Sequence, residues 1–218
     1  MEIKGVIFDM DGTLVDSLGG WEVLWGKFSE KYLNGKVFSP EKDVDKAIRT
    51  LPLKEAMELL FERYGFGDSG ADLLNTANET FAEFYKTQAK PKAGVYEFLE
   101  HLQSKGVKMC IASATAPHLV NIALEACDLK KYFLKFFSCA ELGLGKEKPD
   151  IYYLALDFLG TEKENTWIFE DSLVAVDTAA KAGFPTVGIF DKHNEGSHNL
   201  EKMADCYIAE GESLTKLI

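Results

Sequence analysis

This 218-residue chain is poor in several features that would assign it a common role. It has only four cysteines, Cys110, Cys127, Cys139 and Cys206, and no two of them stand in a CxxC spacing. Zinc-knuckle and dithiol redox chemistry therefore lack their ligands, and free thiols of a cytosolic protein are expected. Basic charge is scarce: 24 Lys and Arg stand against 35 Asp and Glu, a net charge of −11, and no basic cluster offsets it. That argues against a nucleic-acid partner and against an anionic membrane surface. No apolar run approaches the roughly 20 residues that span a bilayer. The chain opens almost at once on a strand pattern, without the basic segment, apolar stretch and cleavage site of a leader, so a cytoplasmic location is expected. Asn78-Glu79-Thr80 has the spacing of a glycosylation acceptor, and without a secretion signal it reads as chance. There is no internal repeat and no low-complexity tract.

What is present is material for a core, with 46% hydrophobic and 12% aromatic residues. That suits one large domain, or a domain with a smaller companion. Short continuous apolar runs mark strands at Val6 to Phe8, Val107 to Ala112, Phe136 to Ser138, Trp167 to Phe169 and Thr186 to Phe190, with a weaker one at Cys206 to Ala209. Continuous rather than alternating runs fit a parallel sheet covered on both faces. Helical spacing separates most of them: Val95, Phe98, Leu99 and Leu102; Leu119, Ile122, Ala123 and Ala126; Ile151, Tyr152, Ala155 and Phe158, with Pro149 at the expected first turn; and Ala175 to Ala182, ended by Gly183. This alternation predicts an α/β fold with a doubly wound parallel sheet.

Residues 17–88 break the alternation. Trp21, Leu24, Trp25, Phe28 and Tyr32 are helically spaced, as are Leu53 to Tyr64 and Leu74 to Tyr85, with no strand between. An all-helical module inserted after the first strand is expected. The core would then comprise residues 1–16 and 89–218, with Lys90 to Gly94 as the return hinge. Trp21 and Trp25 read as part of a core stripe, Lys54 as a solvated cation, and His101, His118, His193 and His198 as surface residues without metal spacing. Asp191 to Leu200 reads as a polar loop, and Asp16 as a helix cap or part of the hinge. Thr13 and Ser172 read as caps.

Ligands of open α/β sheets gather outside the carboxyl ends of the strands. Those ends carry Asp9, then Ser113 with Ala114 and Thr115, and later Glu170, Asp171 and Ser172, while a loop presents Lys146 and Lys148. Carboxylates collected there need a cation, and Mg²⁺ prefers hard oxygen ligands completed by water and phosphate. Asp9 and Asp171 would bind it by side chain, with Glu170 as an outer acceptor. Asp9 could attack phosphorus to give an aspartyl-phosphate. Asp11, two residues on, would point to the same side in extended backbone and serve as general acid and then base. Ser113 and one of the two lysines would hold the phosphate of a small phosphorylated metabolite.

FDMDGTLVDS at 8–17 resembles the first motif, DxDGT, of the haloacid dehalogenase-like hydrolases. IASAT at 111–115 resembles the second, GKEKPDIY at 145–152 the lysine motif GKPxPDxY, and FEDSLVAVDTAAKAG at 169–183 the fourth. The resemblance spans the core in the right order. It implies a Rossmann-like core with an alpha-helical cap, as in the beta-phosphoglucomutase and phosphoglycolate phosphatase branch. It also implies Lys146 as the catalytic lysine, Ser113 and Ala114 at the phosphate, and Mg²⁺ held by Asp9, Asp171 and the Asp11 backbone carbonyl. Glu147 departs from the motif's Pro, and Ala175 and Thr178 from its Gly and Ala. Trp21 stands where many sugar-phosphate members carry His, which weighs against a mutase. The expected activity is a phosphatase of small phosphate monoesters. A phosphohexomutase is the alternative, and a non-enzymatic phospho-acceptor switch is the alternative of another class.

Overall fold

The computed structural model describes residues 2–49 and 51–218. In chain order the elements are β1 (Gly5–Phe8), β2 (Val15–Asp16), α1 (Gly20–Tyr32), α2 (Lys42–Ile48), α3 (Leu53–Tyr64), α4 (Gly70–Thr87), β3 (Lys90–Pro91), α5 (Val95–Ser104) and β4 (Lys108–Ser113). There follow α6 (Pro117–Ala126), β5 (Phe136–Ser138), α7 (Cys139–Leu142), α8 (Asp150–Leu159), β6 (Thr166–Glu170), α9 (Leu173–Lys181), β7 (Thr186–Ile189), α10 (Leu200–Met203) and β8 (Cys206–Ile208). The main sheet has six strands in the order β5-β4-β1-β6-β7-β8. Every pairing in it is parallel, with Ile7 opposite Cys110 on one side and Ile168 on the other. This is a Rossmann-like α/β fold. From β1 the chain steps outward through β4 to β5, then returns to the other flank of β1 with β6. The order thus reverses at β1, where a crevice opens beyond the strand ends.

The apolar run at residues 6–8 has a direct reading in this sheet. Val6 and Phe8 pack into one core and Ile7 into the other, and all three are fully buried. The first core takes its walls from α5 and α6; the second is closed by Ile151, Tyr152 and Ala155 of α8 and Ala179 of α9. A strand sandwiched in this way has no solvent face on which to alternate. Phe8 is wedged between Phe98 of α5 at 6.4 Å and Phe169 of β6 at 4.8 Å. α6 starts on Pro117, which has no N–H to orphan in the first turn. α8 ends on Gly160 at φ +59, a backbone conformation that costs a side-chain-bearing residue strain.

Helices α1–α4 lie between β2 and β3 in the chain and contribute no strand to the main sheet. α4 is capped by Ser69, whose hydroxyl accepts from Asp72 N–H, and it buries Leu73, Ala77, Phe81 and Tyr85 along one side. Trp25 is buried, and Trp21 packs on Trp25 at 5.4 Å and on Phe81 at 5.2 Å, so both tryptophans belong to the aromatic stripe. Lys54 is exposed.

Several elements differ from the sequence expectation. β2 and β3 form a two-stranded antiparallel ribbon where hydrophobic patterning shows no strand; two residues per strand are too few to carry a pattern. Of the two roles expected for Asp16, the cap is not found, since α1 is preceded by Gly19; Asp16 is instead a ribbon residue opposite Lys90, the first residue of the expected return hinge. Pro149 precedes α8 by one residue. Strand limits move by a residue or two, β4 ending on Ser113 and β6 on Glu170. No helix among the described residues is long and apolar enough to cross a membrane.

Truncating the wedge at Phe98, which is fully buried, should cost about 3–5 kcal/mol through lost transfer energy and a residual cavity. Chemical denaturation of Phe98→Ala measures this directly. A midpoint equal to that of the parent would show that the Phe8–Phe98–Phe169 contact does not hold the sheet.

Candidate active site

The carboxyl ends of β1, β4 and β6 meet at the point where the strand order reverses. β1 delivers Asp9, whose N–H is tied to Phe169 O at 2.9 Å, and β6 delivers Glu170 and Asp171. The three carboxylates are buried, and one ligand oxygen from each lies within 4.8 Å of the others. Lys146, reaching in from the loop before α8, donates to both Asp9 Oδ1 and Glu170 Oε1. Its side chain is 14% exposed, whereas Lys148 is exposed on the surface, so of the two candidate lysines only Lys146 touches the cluster. The second oxygen of Glu170 accepts from the N–H groups of Asp171 and Ser172, each at 3.2 Å. Glu170 thus braces the lysine with one oxygen and the turn after β6 with the other.

Asp171 is held on both oxygens as well. Thr13 Oγ1 donates to Oδ1 at 2.8 Å, and the Asn194 amide donates to Oδ2. Gly12 makes that approach possible: at φ +83 it turns the chain sharply, and a Cβ there would collide with the Asp171 carboxylate. Ser113 is buried at the end of β4 and its Oγ accepts from Thr115 N–H at 3.1 Å. Ala114 beside it is exposed.

Asp11 does not join the three-carboxylate cluster. Its Oδ1 accepts from Ser17 Oγ at 2.6 Å and from Tyr85 Oη at 2.7 Å, and its Oδ2 accepts from Thr115 Oγ1 at 2.7 Å. A second buried charge pair stands nearby: Lys92, just after β3, lies 2.8 Å from Asp191 at the end of β7 and also donates to Phe190 O. Asp191 in turn accepts from His193 N–H at 2.9 Å.

The electrostatics follow from this crowding. Burial pushes the Asp9 carboxyl well above its usual range; Lys146 opposes the rise, and Glu170, Asp171 and Asp11 add to it. Asp171 is pushed up to about 7 by burial and then by Glu170, against the relief provided by Lys92 and Thr13. Burial works to lower the Lys146 ammonium, but Asp9 and Glu170 outweigh it and raise the group well above the ordinary lysine value. Three carboxylates less one ammonium leave an excess of two negative charges, since Lys92 is matched by Asp191. A divalent cation closes that gap, and a donor set of carboxylate oxygens suits a hard cation. The residues present therefore fit such a metal.

The sequence pointed to Asp9, Asp11, Ser113, Lys146, Glu170 and Asp171 and put Thr115 at the same strand end without a role, but it gave no role to Ser17 and did not single out Asn194, Tyr85 or the Lys92–Asp191 pair. Thr13 is no turn cap; its hydroxyl serves Asp171. His193 is half-buried rather than freely exposed. Its side chain is 16% exposed, with Nδ1 3.0 Å from Glu22 of α1. The polar stretch from Asp191 to Leu200 looked like solvent loop because its anchors lie far off in the chain, at Lys92 and Asp171. Ser17 and Thr115 carried a local signal, Ser17 within the motif that holds Asp9 and Asp11 and Thr115 within the one that holds Ser113.

Fold and site together define an α/β enzyme built on a carboxylate cluster at a topological switch point. Comparison with known proteins narrows this, because the family model for haloacid dehalogenase-like hydrolases matches residues 3–183. The chain belongs to that family. It is 30% identical over 216 residues to a phosphorylated carbohydrates phosphatase of Thermotoga maritima, covering 99% of this chain and 98% of that one. It is 26% identical over 187 residues to a phosphoglycolate phosphatase of Aquifex aeolicus, covering 84% and 83%. Among solved structures, CbbY of Rhodobacter sphaeroides in complex with phosphate superimposes with a TM-score of 0.79 over 99% of both chains, at 21% identity.

The raised Asp171 pKa sets the sign of a pH effect. An unfolded Asp titrates near about 3.9. A carboxyl raised to about 7 in the fold stabilises the protein below the unfolded value and loses that contribution as pH rises through the folded one. Freed of divalent cations, the protein should therefore lose stability between about pH 4 and about pH 7, and Asp171→Asn should reduce the loss. Thermal melts across that range in chelator measure it; parallel curves for the parent and the variant would contradict the assignment.

Proposed function

We propose that this protein is a Mg²⁺-dependent phosphatase of small phosphate monoesters, sugar phosphates among them, acting through an aspartyl-phosphate. The observation that carries the reading is Asp9, a buried carboxylate at the end of the central strand, gripped by Lys146 and flanked by Glu170 and Asp171. The kinship with a phosphorylated carbohydrates phosphatase supports the substrate class. Residues 1–16 and 89–218 form the catalytic core in this reading, and residues 17–88 form a cap over it.

In the first step an Asp9 oxygen attacks phosphorus. The bond between phosphorus and the leaving oxygen breaks, and Asp11 gives that oxygen a proton. In the second step water attacks the phosphorus of the aspartyl-phosphate, Asp11 takes the water's proton, and inorganic phosphate leaves with Asp9 restored. Ser113 and the exposed backbone at Ala114 hold phosphate oxygens, and Lys146 moves its charge from Asp9 to the transferring group. Asp9 and Asp171 would hold Mg²⁺ by side chain and Asp11 by its backbone carbonyl, with Glu170 bracing the set. Bound there, the cation supplies positive charge to the phosphate oxygens and lets the carboxylates stay ionised. Closure of the cap excludes bulk water and brings its residues to the leaving group.

Asp9→Asn should lower phosphate release from para-nitrophenyl phosphate by at least roughly 10³-fold while the circular dichroism spectrum stays that of the parent. Turnover within tenfold of the parent would refute the nucleophile. Excess chelator should stop the parent enzyme and added Mg²⁺ should restore it; full rate in chelator would remove the cation from the reaction. A panel of phosphorylated sugars, read for both free phosphate and isomerised sugar phosphate, separates the phosphatase from a mutase.

A further inference from the structure

The Asp11 carboxylate is fastened by three hydroxyls from three separate segments. Ser17 follows β2, Thr115 follows β4, and Tyr85 lies near the end of α4, 74 residues away in the chain. Ser17 and Thr115 flank strands that adjoin the sheet, whereas Tyr85 alone comes from the helices α1–α4. The tyrosine is itself fixed: the residue is 4% exposed, and its ring packs against Phe81 at 6.5 Å and Phe84 at 6.4 Å. Burial and the neighbouring Asp11 charge push its phenol well above the usual range, so the hydroxyl keeps its proton and donates. α4 rests on α6 of the core, where Asn78 Oδ1 meets His118 Nε2 at 3.1 Å.

An aspartate side chain has two free torsions, and one hydrogen bond leaves at least one of them soft. Donors on both oxygens, anchored in three places, leave a single orientation. A general acid works only within hydrogen-bond reach of the atom it protonates, so its direction is part of its efficiency.

We propose that Tyr85 is a positioning residue for Asp11, and that through it the seating of α1–α4 on the core sets the direction of the acid/base carboxylate. The inference rests on the reading of Asp11 as the group that protonates the leaving oxygen. It assigns the Tyr85 hydroxyl no contact with substrate. Its effect reaches the reaction through Asp11 alone.

Tyr85→Phe keeps the ring and its packing and removes only the donor. The test compares kcat and KM of the parent and the variant on para-nitrophenyl phosphate, whose leaving group needs little protonation, and on glycerol phosphate, whose leaving group needs a full proton. The expected result is a loss of kcat on glycerol phosphate about tenfold larger than the loss on the aryl ester, with KM on both within about twofold of the parent. In an Asp11→Asn background the same substitution should add no further difference between the two esters. Equal losses on the two esters, a change confined to KM, or a full Tyr85→Phe effect in the Asp11→Asn background would each overturn the inference. These outcomes require a parent that hydrolyses phosphate esters in an Asp9-dependent way. A parent inactive on both esters would refute the phosphatase reading and this inference with it, whereas an active parent matched by Tyr85→Phe on both esters would refute the inference alone.

Discussion

Three buried carboxylates repel one another at the ends of β1 and β6, and much of the surrounding structure answers that repulsion. At an effective dielectric near 20, two like charges about 4 Å apart cost about 4 kcal/mol, which a fold of ordinary stability cannot carry uncompensated for three mutual pairs. Lys146 lies between two of them and offsets part of the cost. The N–H groups of Asp171 and Ser172 turn toward Glu170, so the start of the turn before α9 is also spent on negative charge. What remains is the charge of one divalent cation. Burial first, and then mutual repulsion, raises the Asp9 and Asp171 carboxyls, and the same crowding of negative charge suits the cluster to a hard cation.

Holding acids in this arrangement constrains segments that are distant in sequence. Asp171 is oriented by Thr13 from the turn after β1 and by Asn194 from the loop after β7. That loop is secured by the Lys92–Asp191 pair, in which Asp191 is 2% exposed at its side chain. Removing either member would leave a buried charge unmatched, which typically costs about 3–5 kcal/mol. Lys92 directly follows Pro91, the last residue of β3, and its N–H bonds Leu14 O at 2.9 Å. The chain's return from α1–α4, the loop carrying Asn194 and the Asp171 carboxylate therefore form one connected set. His193 extends it to Glu22 on α1.

The architecture was readable because a doubly buried strand leaves a continuous apolar run, and six such runs mark the six strands of the main sheet. The residues clustered at the strand ends were readable for a related reason: polar groups where an apolar run stops must face a crevice. The ribbon of β2 and β3 was not, since two-residue strands stabilised mainly by backbone hydrogen bonds leave no side-chain pattern. Nor were the partners of the acids. Nothing local in Tyr85 separates it from the apolar stripe of α4, because its ring does pack there while its hydroxyl alone reaches Asp11. Asn194 sits among polar neighbours that are exposed or half-buried, and only its long-range bond to Asp171 distinguishes it. Patterning reports which face is apolar. It does not report where one polar atom of an otherwise apolar or solvated residue is aimed.

Asp9 and Asp11 are chemically the same side chain two positions apart, and extended backbone would have sent them to one side. The structure separates their surroundings instead. Asp9 faces an ammonium and two acids, while Asp11 faces three hydroxyls. In the proposed reaction Asp9 is the group that attacks, and the ammonium beside it offsets part of the negative charge gathered there. Asp11 would exchange a proton with a leaving group or a water in the proposed reaction, and its three hydroxyl donors fix the direction in which it does so. The division here is produced by one turn. Gly12, at positive φ and without a Cβ, lets Asp171 approach the backbone beside Asp11 and directs the chain onward to Ser17. The acidic end of the first strand is thus a branch point, at which one direction leads to the carboxylate cluster of Asp9, Glu170 and Asp171 and the other to the helices α1–α4.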